Sequence, residues 1–327
     1  MKIIITAGDT NGIGPEISLR TLEDAQNEKG NDSYILIIPQ NVFNHYYSLL
    51  DCSFKFSIMK AGEFASTSKI AVYPLKNVKM NIGRPTKESG AASISILKKA
   101  RDFINFNKES VLVTAPISKE AVKSAGGKFP GHTELLASWE KSKSFMMFFI
   151  SSKLKGGILT IHIPLKEVSQ KLISIDIDDR ISLVKRSLLS DFNIPKPKIA
   201  LLGVNPHAGE NGVIGNEEKK IFANPIRINK IDGPFAADGF FASKQYNDYD
   251  FILSGYHDQF LIPFKMLSWK DGVNYTAGLS LIRTSPDHGT AFDIAGKGIA
   301  EFSSMAAAVK LAKKIFVNRR KYSLEKT

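Results

Sequence analysis

The stretch Lys2–Ile17, KIIITAGDTNGIGPEI, runs from an apolar, β-branched segment through three glycines, Gly8, Gly12 and Gly14, to a proline. The apolar run predicts a buried strand over Lys2–Ala7, because isoleucine suits a pleated interior and the segment is too short for a helix. Pro15 fits the first turn of a helix, where its missing N–H costs nothing, and Glu16 behind it suits the positive end of the helix dipole. A helix over Pro15–Ala25 follows, so the chain opens as strand, tight turn, helix. Backbone amides in such a turn can cradle an anion or a nucleotide, although the spacing is not GxGxxG. A plain strand-to-helix turn accounts for the glycines equally well.

The alternation continues outward. Tyr34–Ile38, Val111–Ala115, Gly157–Ile163, Lys198–Val204 and Phe251–Leu253 read as strands. Ala91–Phe106, Thr133–Ser138, Asp178–Ser190 and Glu217–Ile226 carry helical spacing or helix-start signals. Strands alternating with helices predict an α/β chain with a largely parallel sheet. Turn-rich joints fall near Gly126–Gly131 and Thr284–Gly289, and there is neither a repeat nor a low-complexity linker. At 327 residues, two domains are expected from a prior of about 150 residues per domain.

Composition bounds the function classes. The single cysteine, Cys52, cannot close an internal disulfide, and Ile3–Ile5 is too short an apolar stretch for a secretory signal. Phe145–Ile150, the densest apolar patch, falls far short of the ~18 residues a membrane span requires. A soluble, cytoplasmic protein with no membrane partner is expected. The net charge of +12 could attract nucleic acid or anionic metabolites. Its lysines, however, are scattered over helical segments such as Leu97–Arg101 and Leu311–Ile315, as on solvated faces. Zinc-finger spacing and aromatic–basic interleaving are missing, so a nucleic-acid partner is not expected.

Three of the six histidines share one context: His162 ends GGILTIH, His207 follows IALLGVNP, and His257 follows FILSGY. Each falls at or beyond the carboxyl end of an expected strand, the edge where open α/β sheets bind ligands. Imidazole is a common metal ligand, and three with open positions suit a catalytic site. Their long spacing leaves loop histidines as the alternative. Asp258 beside His257 could orient its imidazole or handle a proton, and Asp238 in GPFAAD is a further loop carboxylate. In FPGHTELLA, Thr133 reads as a helix cap with His132 beside it, a phosphate-friendly arrangement. Lys265, Asn274 and Arg283 follow the third histidine and are chemically suited to hold phosphate or carboxylate and to orient a substrate.

TAGDTNGIGPEI, VTAPISKEA, FPGHTELLA, NPHAGENG, GPFAAD, GYHDQ and VNYTAGLSLIRTSPDHGTAFDIAGKG, in that order along the chain, resemble the successive motifs of the 4-hydroxythreonine-4-phosphate dehydrogenase family of vitamin B6 biosynthesis. DHGTAFDIAGKGIA, with GIGPE near the start, is also similar to the wider isocitrate and isopropylmalate dehydrogenase group. The resemblance implies two α/β/α domains flanking a cleft, of that group's type and not a Rossmann fold. One domain would comprise 1–133 with 287–327, and the other 134–286, carrying the metal ligands and the dimer interface. It implies a divalent metal on His162, His207 and His257, with each site completed across a homodimer interface so that the three ligands need not share a subunit. It implies substrate contacts at His132, Thr133, Lys265, Asn274 and Arg283. Cofactor contacts are expected at Gly12, Gly14, Asp287, His288, Gly289 and Asp293, with NAD or NADP as hydride acceptor. Asp258, Asp238 and Lys119 are the candidate proton acceptors.

The implied reaction is oxidation of 4-phosphohydroxy-L-threonine at C3 followed by β-decarboxylation. A related dehydrogenase of a phosphorylated sugar acid, 4-phosphothreonate or 4-phosphoerythronate, would use the same cations. A metal hydrolase on the same histidines would have no need of the HGTAFDIAGKG segment. Zinc, cobalt, nickel or iron suits imidazoles, while added oxygen ligands admit magnesium or manganese. The chain departs from the family pattern at Ser118, at Thr10-Asn11, and at Phe260, which stands where the family has glycine. A glycine-type positive φ there would strain a phenylalanine.

Overall fold

A computed structural model describes residues 1–107, 109–129, 131–142 and 144–325. The chain divides into two compact units, Met1–Trp139 with Ser280–Phe316, and Glu140–Leu279 with Val317–Thr327. The first opens with β1 (Lys2–Thr6), α1 (Gly14–Gln26), β2 (Ser33–Pro39), α2 (Gln40–Leu49), β3 (Ser57–Ile58) and β4 (Ile70–Leu75). It continues through α3 (Lys87–Phe106), β5 (Ser110–Thr114), α4 (Lys119–Ser124) and α5 (His132–Glu140).

The second unit carries β6 (Met146–Ile150), β7 (Lys155–Ile158), α6 (Val168–Ile173), α7 (Ile177–Phe192), β8 (Ile199–Leu202), α8 (Glu217–Ile221) and α9 (Ala223–Asn229). Then come β9 (Asp232–Phe235), α10 (Ala237–Ala242), β10 (Phe251–Ser254), α11 (His257–Ser268) and β11 (Val273–Ala277). The chain ends with β12 (Arg283–Pro286), which returns to the first unit, and α12 (Ser303–Leu324).

In the first unit the strands lie in the order β3-β4-β2-β1-β5-β12, all parallel. The core strand β1 is Ile3, Ile4 and Ile5, each fully buried, as the near-continuous apolar run of a strand covered on both faces requires. The neighbour of β5 is β12, which arrives only after the whole second unit, so the unbroken succession of βα units in a Rossmann sheet is not followed. In the second unit the order is β11-β6-β7-β10-β8-β9, parallel from β7 to β9 and antiparallel on both sides of β6. The mixed α/β class and the largely parallel pairing agree with the expectation.

Several local expectations are corrected. The expected strand Gly157–Ile163 ends at Ile158, because the chain turns out of the ladder: Thr160 bonds Gly255 through both its N–H and its hydroxyl, and His162 lies at φ 49°. The expected helix Glu217–Ile226 breaks at Phe222 into α8 and α9, since Pro225 has no N–H to give and its ring would meet the carbonyl of Ile221. The joint expected from Thr284 is strand as far as Pro286. Helix α5 already includes His132, so Thr133 lies within its first turn and is not its cap. Pro130, in the same motif, is outside the described residues. Val317–Thr327 group with the second unit, whereas the expectation kept all of 287–327 with the first; Arg319 and Asn318 bond to Asp191 of α7.

Phe260 is unstrained. It lies inside α11, fully buried, in a cluster with Phe149, Phe264, Ile158 and Ile252. His257, expected at or beyond the carboxyl end of a strand, opens this helix.

Candidate functional site

In the second unit the three singled-out histidines follow the carboxyl ends of three adjacent parallel strands, in the order β7, β10, β8. His162 comes after β7, His207 after β8, and His257 opens α11 just beyond β10. Two of them sit on unusual backbone. His162 has φ 49° and His207 φ 52°, the latter beginning a run of positive φ through Ala208, Gly209, Glu210 and Asn211. Left-handed backbone at β-carbon residues costs free energy and persists where surrounding structure imposes it, as it commonly does at functional sites.

His162 and His257 come together, their ring centroids 5.9 Å apart. With Asp258, Tyr256, Thr160 and Val168 they line a cavity of about 340 Å³. Asp258 Oδ1 lies 2.6 Å from His257 Nδ1, which directs the proton to Nδ1 and leaves Nε2 as the lone-pair donor. An oriented imidazole beside a second imidazole fits two donors of a metal ion. His207 and Asp238 do not line this cavity, and among the described residues no three His, Cys, Asp or Glu side chains converge closely enough to hold a metal ion within one chain. Asp238 occupies the first turn of α10. Lys265 lies half-buried on α11, and Asn274 is buried on β11.

The first unit holds the second group. Arg283 is buried at the start of β12 and donates from Nε and one terminal nitrogen to Thr114 Oγ1 at 3.0 and 2.7 Å. Burial brings its guanidinium down to about 9, and the charge of Glu134 partly offsets this. His132 opens α5 with its Nε2 buried and without a hydrogen-bond partner. Burial, and after it the Arg283 charge, hold this imidazole well below its usual range, so it is neutral at pH 7. Thr133 is buried in the same turn, and Lys119 is exposed at the start of α4. A buried guanidinium and an orphaned imidazole nitrogen favour an incoming anion or hydroxyl. Thr114 and Glu134, which shape this group, went unmarked in the sequence; a threonine ending a strand and a glutamate in a helix's first turn are too common to signal it.

The glycine-rich turn is packed against the chain's own backbone. Asp9 N–H donates to Pro116 O, Gly12 N–H to Asp9 O and Ile13 N–H to Thr290 O, and Asn11 N–H is taken by Asp9 Oδ1. A Cβ at Gly12 would stand 2.8 Å from Thr290 O, and one at Gly14 2.2 Å from Ala7 O. Close approach thus requires both glycines, and these four amides are spent internally. Glu16 Oε1 accepts the Ala300 N–H at 2.7 Å, fastening α1 to the segment that holds Asp287, His288, Gly289 and Asp293. Asp287 N–H donates to Ser304 Oγ, and Gly289 and Asp293 are exposed.

Residues 31–312 match the family model described as pyridoxal phosphate biosynthetic protein PdxA. The chain belongs to this family. A 4-hydroxythreonine-4-phosphate dehydrogenase of Prosthecochloris aestuarii is 41% identical, the match covering 96% of this chain and 97% of that protein. The crystal structure of the enzyme so named from Klebsiella pneumoniae superimposes with a TM-score of 0.81 at 34% identity, covering 96% of this chain and 98% of that one. A relative in Oceanobacillus iheyensis, whose name alone assigns it to D-threonate 4-phosphate, is 38% identical, with 94% of this chain and 96% of that protein covered. As a member of this dehydrogenase family, the chain is an oxidoreductase. Among its described residues, no helix is long and apolar enough to cross a membrane.

Proposed function

We propose that this family member oxidises 4-phosphohydroxy-L-threonine at C3 with NAD or NADP and releases the β-carboxyl group, giving 3-amino-2-oxopropyl phosphate for pyridoxal 5'-phosphate synthesis. The observation that carries the reading is the pairing of His162 and His257 with Asp258 on His257 Nδ1, in a chain whose family is one of dehydrogenases. We further propose a cytoplasmic homodimer, in which His207 supplies the third donor and each metal site is completed across the dimer interface. A divalent ion held there, whether zinc, magnesium, cobalt, manganese or nickel, would supply Lewis acidity toward an alcohol or carbonyl oxygen. The nicotinamide would supply the hydride acceptor.

The protein's own residues would bind and orient. Arg283 suits an anionic end of the substrate, since pairing with an anion relieves the cost of burying its charge. Lys265 and Asn274 are assigned to substrate contacts with it. Neutral His132 offers its orphaned Nε2 to a substrate hydroxyl or phosphate oxygen, and Thr133 stands beside it. Asp258 holds the His257 ring in one tautomer. Asp258, Asp238 and Lys119 are the candidates to take the hydroxyl proton. Asp287, His288, Gly289 and Asp293 would contact the cofactor, with Gly12 letting the first turn pack on Thr290 and Gly14 letting it pack on Ala7.

The test is a panel of phosphorylated hydroxy acids, including 4-phosphothreonate, with each nicotinamide, following its reduction with and without chelator. Turnover of 4-phosphohydroxy-L-threonine alone, abolished by chelator, is the expected result. No turnover of any panel member overturns the reading. His207→Ala should lose metal-dependent turnover with an unchanged circular dichroism spectrum; full activity under metal control would refute that ligand.

A further inference from the structure

The loop that carries His207 is built around a buried carboxylate that takes no part in the proposed chemistry. From His207 to Asn211 the backbone is left-handed throughout, and four of these five residues bear a β-carbon, so the loop is costly to hold by itself. Glu218 of α8, nearly wholly buried, fills its inner side. Its Oε1 accepts the N–H of Val204 at 2.8 Å and of Asn205 at 2.7 Å, and its Oε2 accepts Asn205 Nδ2 at 3.0 Å. Two backbone amides just ahead of His207 are thereby fixed to α8. Past His207 the loop closes on the same group: a Cβ at Gly209 would stand 2.6 Å from Glu218 Oε2, and one at Gly203 would meet Ala208 at 2.8 Å. The neighbouring Lys219 donates to Asn211 O, so α8 holds the loop at its entry, its middle and its exit.

His207 is exposed, and an exposed ring is aimed by the backbone that carries it, since the allowed rotamers depend on φ and ψ. A loop that held the left-handed form only part of the time would present the imidazole only in that fraction, and the apparent affinity for an ion would fall by the same factor. Building on the function proposed above, in which His207 is a metal donor, we infer that Glu218 is the positioning residue of that donor: its carboxylate fixes the His207 loop in the left-handed form before metal arrives. An amide does not replace it. Glutamine can accept the two backbone N–H groups only with its own NH2 turned toward Asn205 Nδ2. Rotating the Asn205 amide to relieve this would set its oxygen against Glu217 Oε2, which accepts the same Nδ2 at 2.8 Å.

Cobalt(II) titrated into the full-length, substrate-free protein and followed by visible absorbance reads weak as well as tight binding. Glu218→Gln should weaken cobalt binding about ten-fold or more. In a His207→Ala background the same substitution should change the affinity by less than about two-fold, because the donor it places is gone. Cobalt affinity of Glu218→Gln equal to wild type overturns the inference. So does an equal loss in both backgrounds, which would mean that Glu218 supports the unit as a whole. If the glutamine variant does not fold, Gly209→Ala serves instead, its methyl group pressing the Glu218 carboxylate out of the loop; the same two comparisons then support or overturn the inference. Wild-type protein that binds no cobalt, or a His207→Ala variant that binds it as wild type does, rejects the metal assignment of the functional reading, and this inference with it. Weakened binding in His207→Ala with unaltered binding in Glu218→Gln rejects the inference alone.

Discussion

The ring of Phe260 lies directly on Gly156: a Cβ at position 156 would stand 2.3 Å from Phe260 Cζ and 2.4 Å from Cε2. One residue's bulk is accommodated by the other's lack of a side chain, between helix α11 and strand β7 of the second unit. Gly156→Ala should therefore destabilise by overpacking, about 1–3 kcal/mol. Phe260→Ala should cost about 3–5 kcal/mol by leaving a cavity. The double variant should be more stable than the sum of the two losses allows, because the alanine at 156 then fills space that the ring has left. Urea unfolding of the four proteins measures the coupling, and strict additivity would deny the contact.

This pair also shows what the sequence could and could not disclose. That Phe260 stands apart from the family pattern was legible, and so was its neighbourhood of strand end and polar residues. Its conformation was not, because Pro263 inside HDQFLIPFKMLS masks a helix whose apolar residues Phe260, Leu261 and Phe264 follow helical spacing. The strands β1, β2, β5, β8 and β10 were legible from their apolar runs, while β9 and β12 were not, since DGPF and RTSP are too short and carry too many turn-forming residues. In the site, histidines at strand ends could be marked from the sequence. What gives the site's histidines character, Asp258 Oδ1 on His257 and the Arg283 charge acting on His132 at the start of α5, depends on side-chain placement that spacing does not encode.

Asp258→Asn should weaken divalent-metal binding about 10–100-fold, the usual effect of losing the carboxylate behind a ligating imidazole. Isothermal titration of metal into the substrate-free protein reads this independently of any part Asp258 has in proton transfer. Affinity equal to wild type would show that the 2.6 Å contact to Nδ1 does not orient a ligand.

Arg283 and Thr114 are coupled through two hydrogen bonds to one hydroxyl. Thr114→Val removes that acceptor at nearly constant volume and should cost about 1–3 kcal/mol of stability by stranding buried donors. KM for the phosphorylated substrate should rise as the guanidinium loses its fixed direction. Arg283→Lys should not restore activity, because an ammonium does not reproduce the planar two-point geometry. Wild-type kinetic constants in either variant would remove Arg283 from substrate binding.

In the second unit Asp191 is nearly wholly buried, accepts from Arg319 Nε at 2.7 Å and takes the Tyr275 hydroxyl, which in turn receives a bond from Arg319 at 2.8 Å. Burial first, and then the Asp191 charge, raise the Tyr275 phenol well above its usual range, so it remains a neutral donor. Arg319→Met leaves the Asp191 carboxylate buried without its cation and should cost about 3–5 kcal/mol. Chemical denaturation followed by tyrosine and tryptophan fluorescence measures it. A loss below ~1 kcal/mol would mean the end of α12 is held by apolar packing instead.

The neutral state of His132 makes stability depend on pH in one definite direction. Its folded pKa is depressed, by burial and then by Arg283, whereas in the unfolded chain it titrates near 6.5. Above about pH 6.5 both states hold a neutral ring and the residue contributes no slope. As pH falls below that value, the unfolded state takes up a proton that the folded state refuses, so stability declines by up to about 1.4 kcal/mol per pH unit until the folded pKa is reached. Carboxylates also titrate in acid, so the informative quantity is the difference between wild type and His132→Asn. The variant should show a shallower fall in urea midpoint between about pH 6.5 and pH 5, with the two curves parallel above that range. Parallel curves throughout would mean that His132 takes up its proton in the fold as easily as in water, and Arg283 would then exert no force on it.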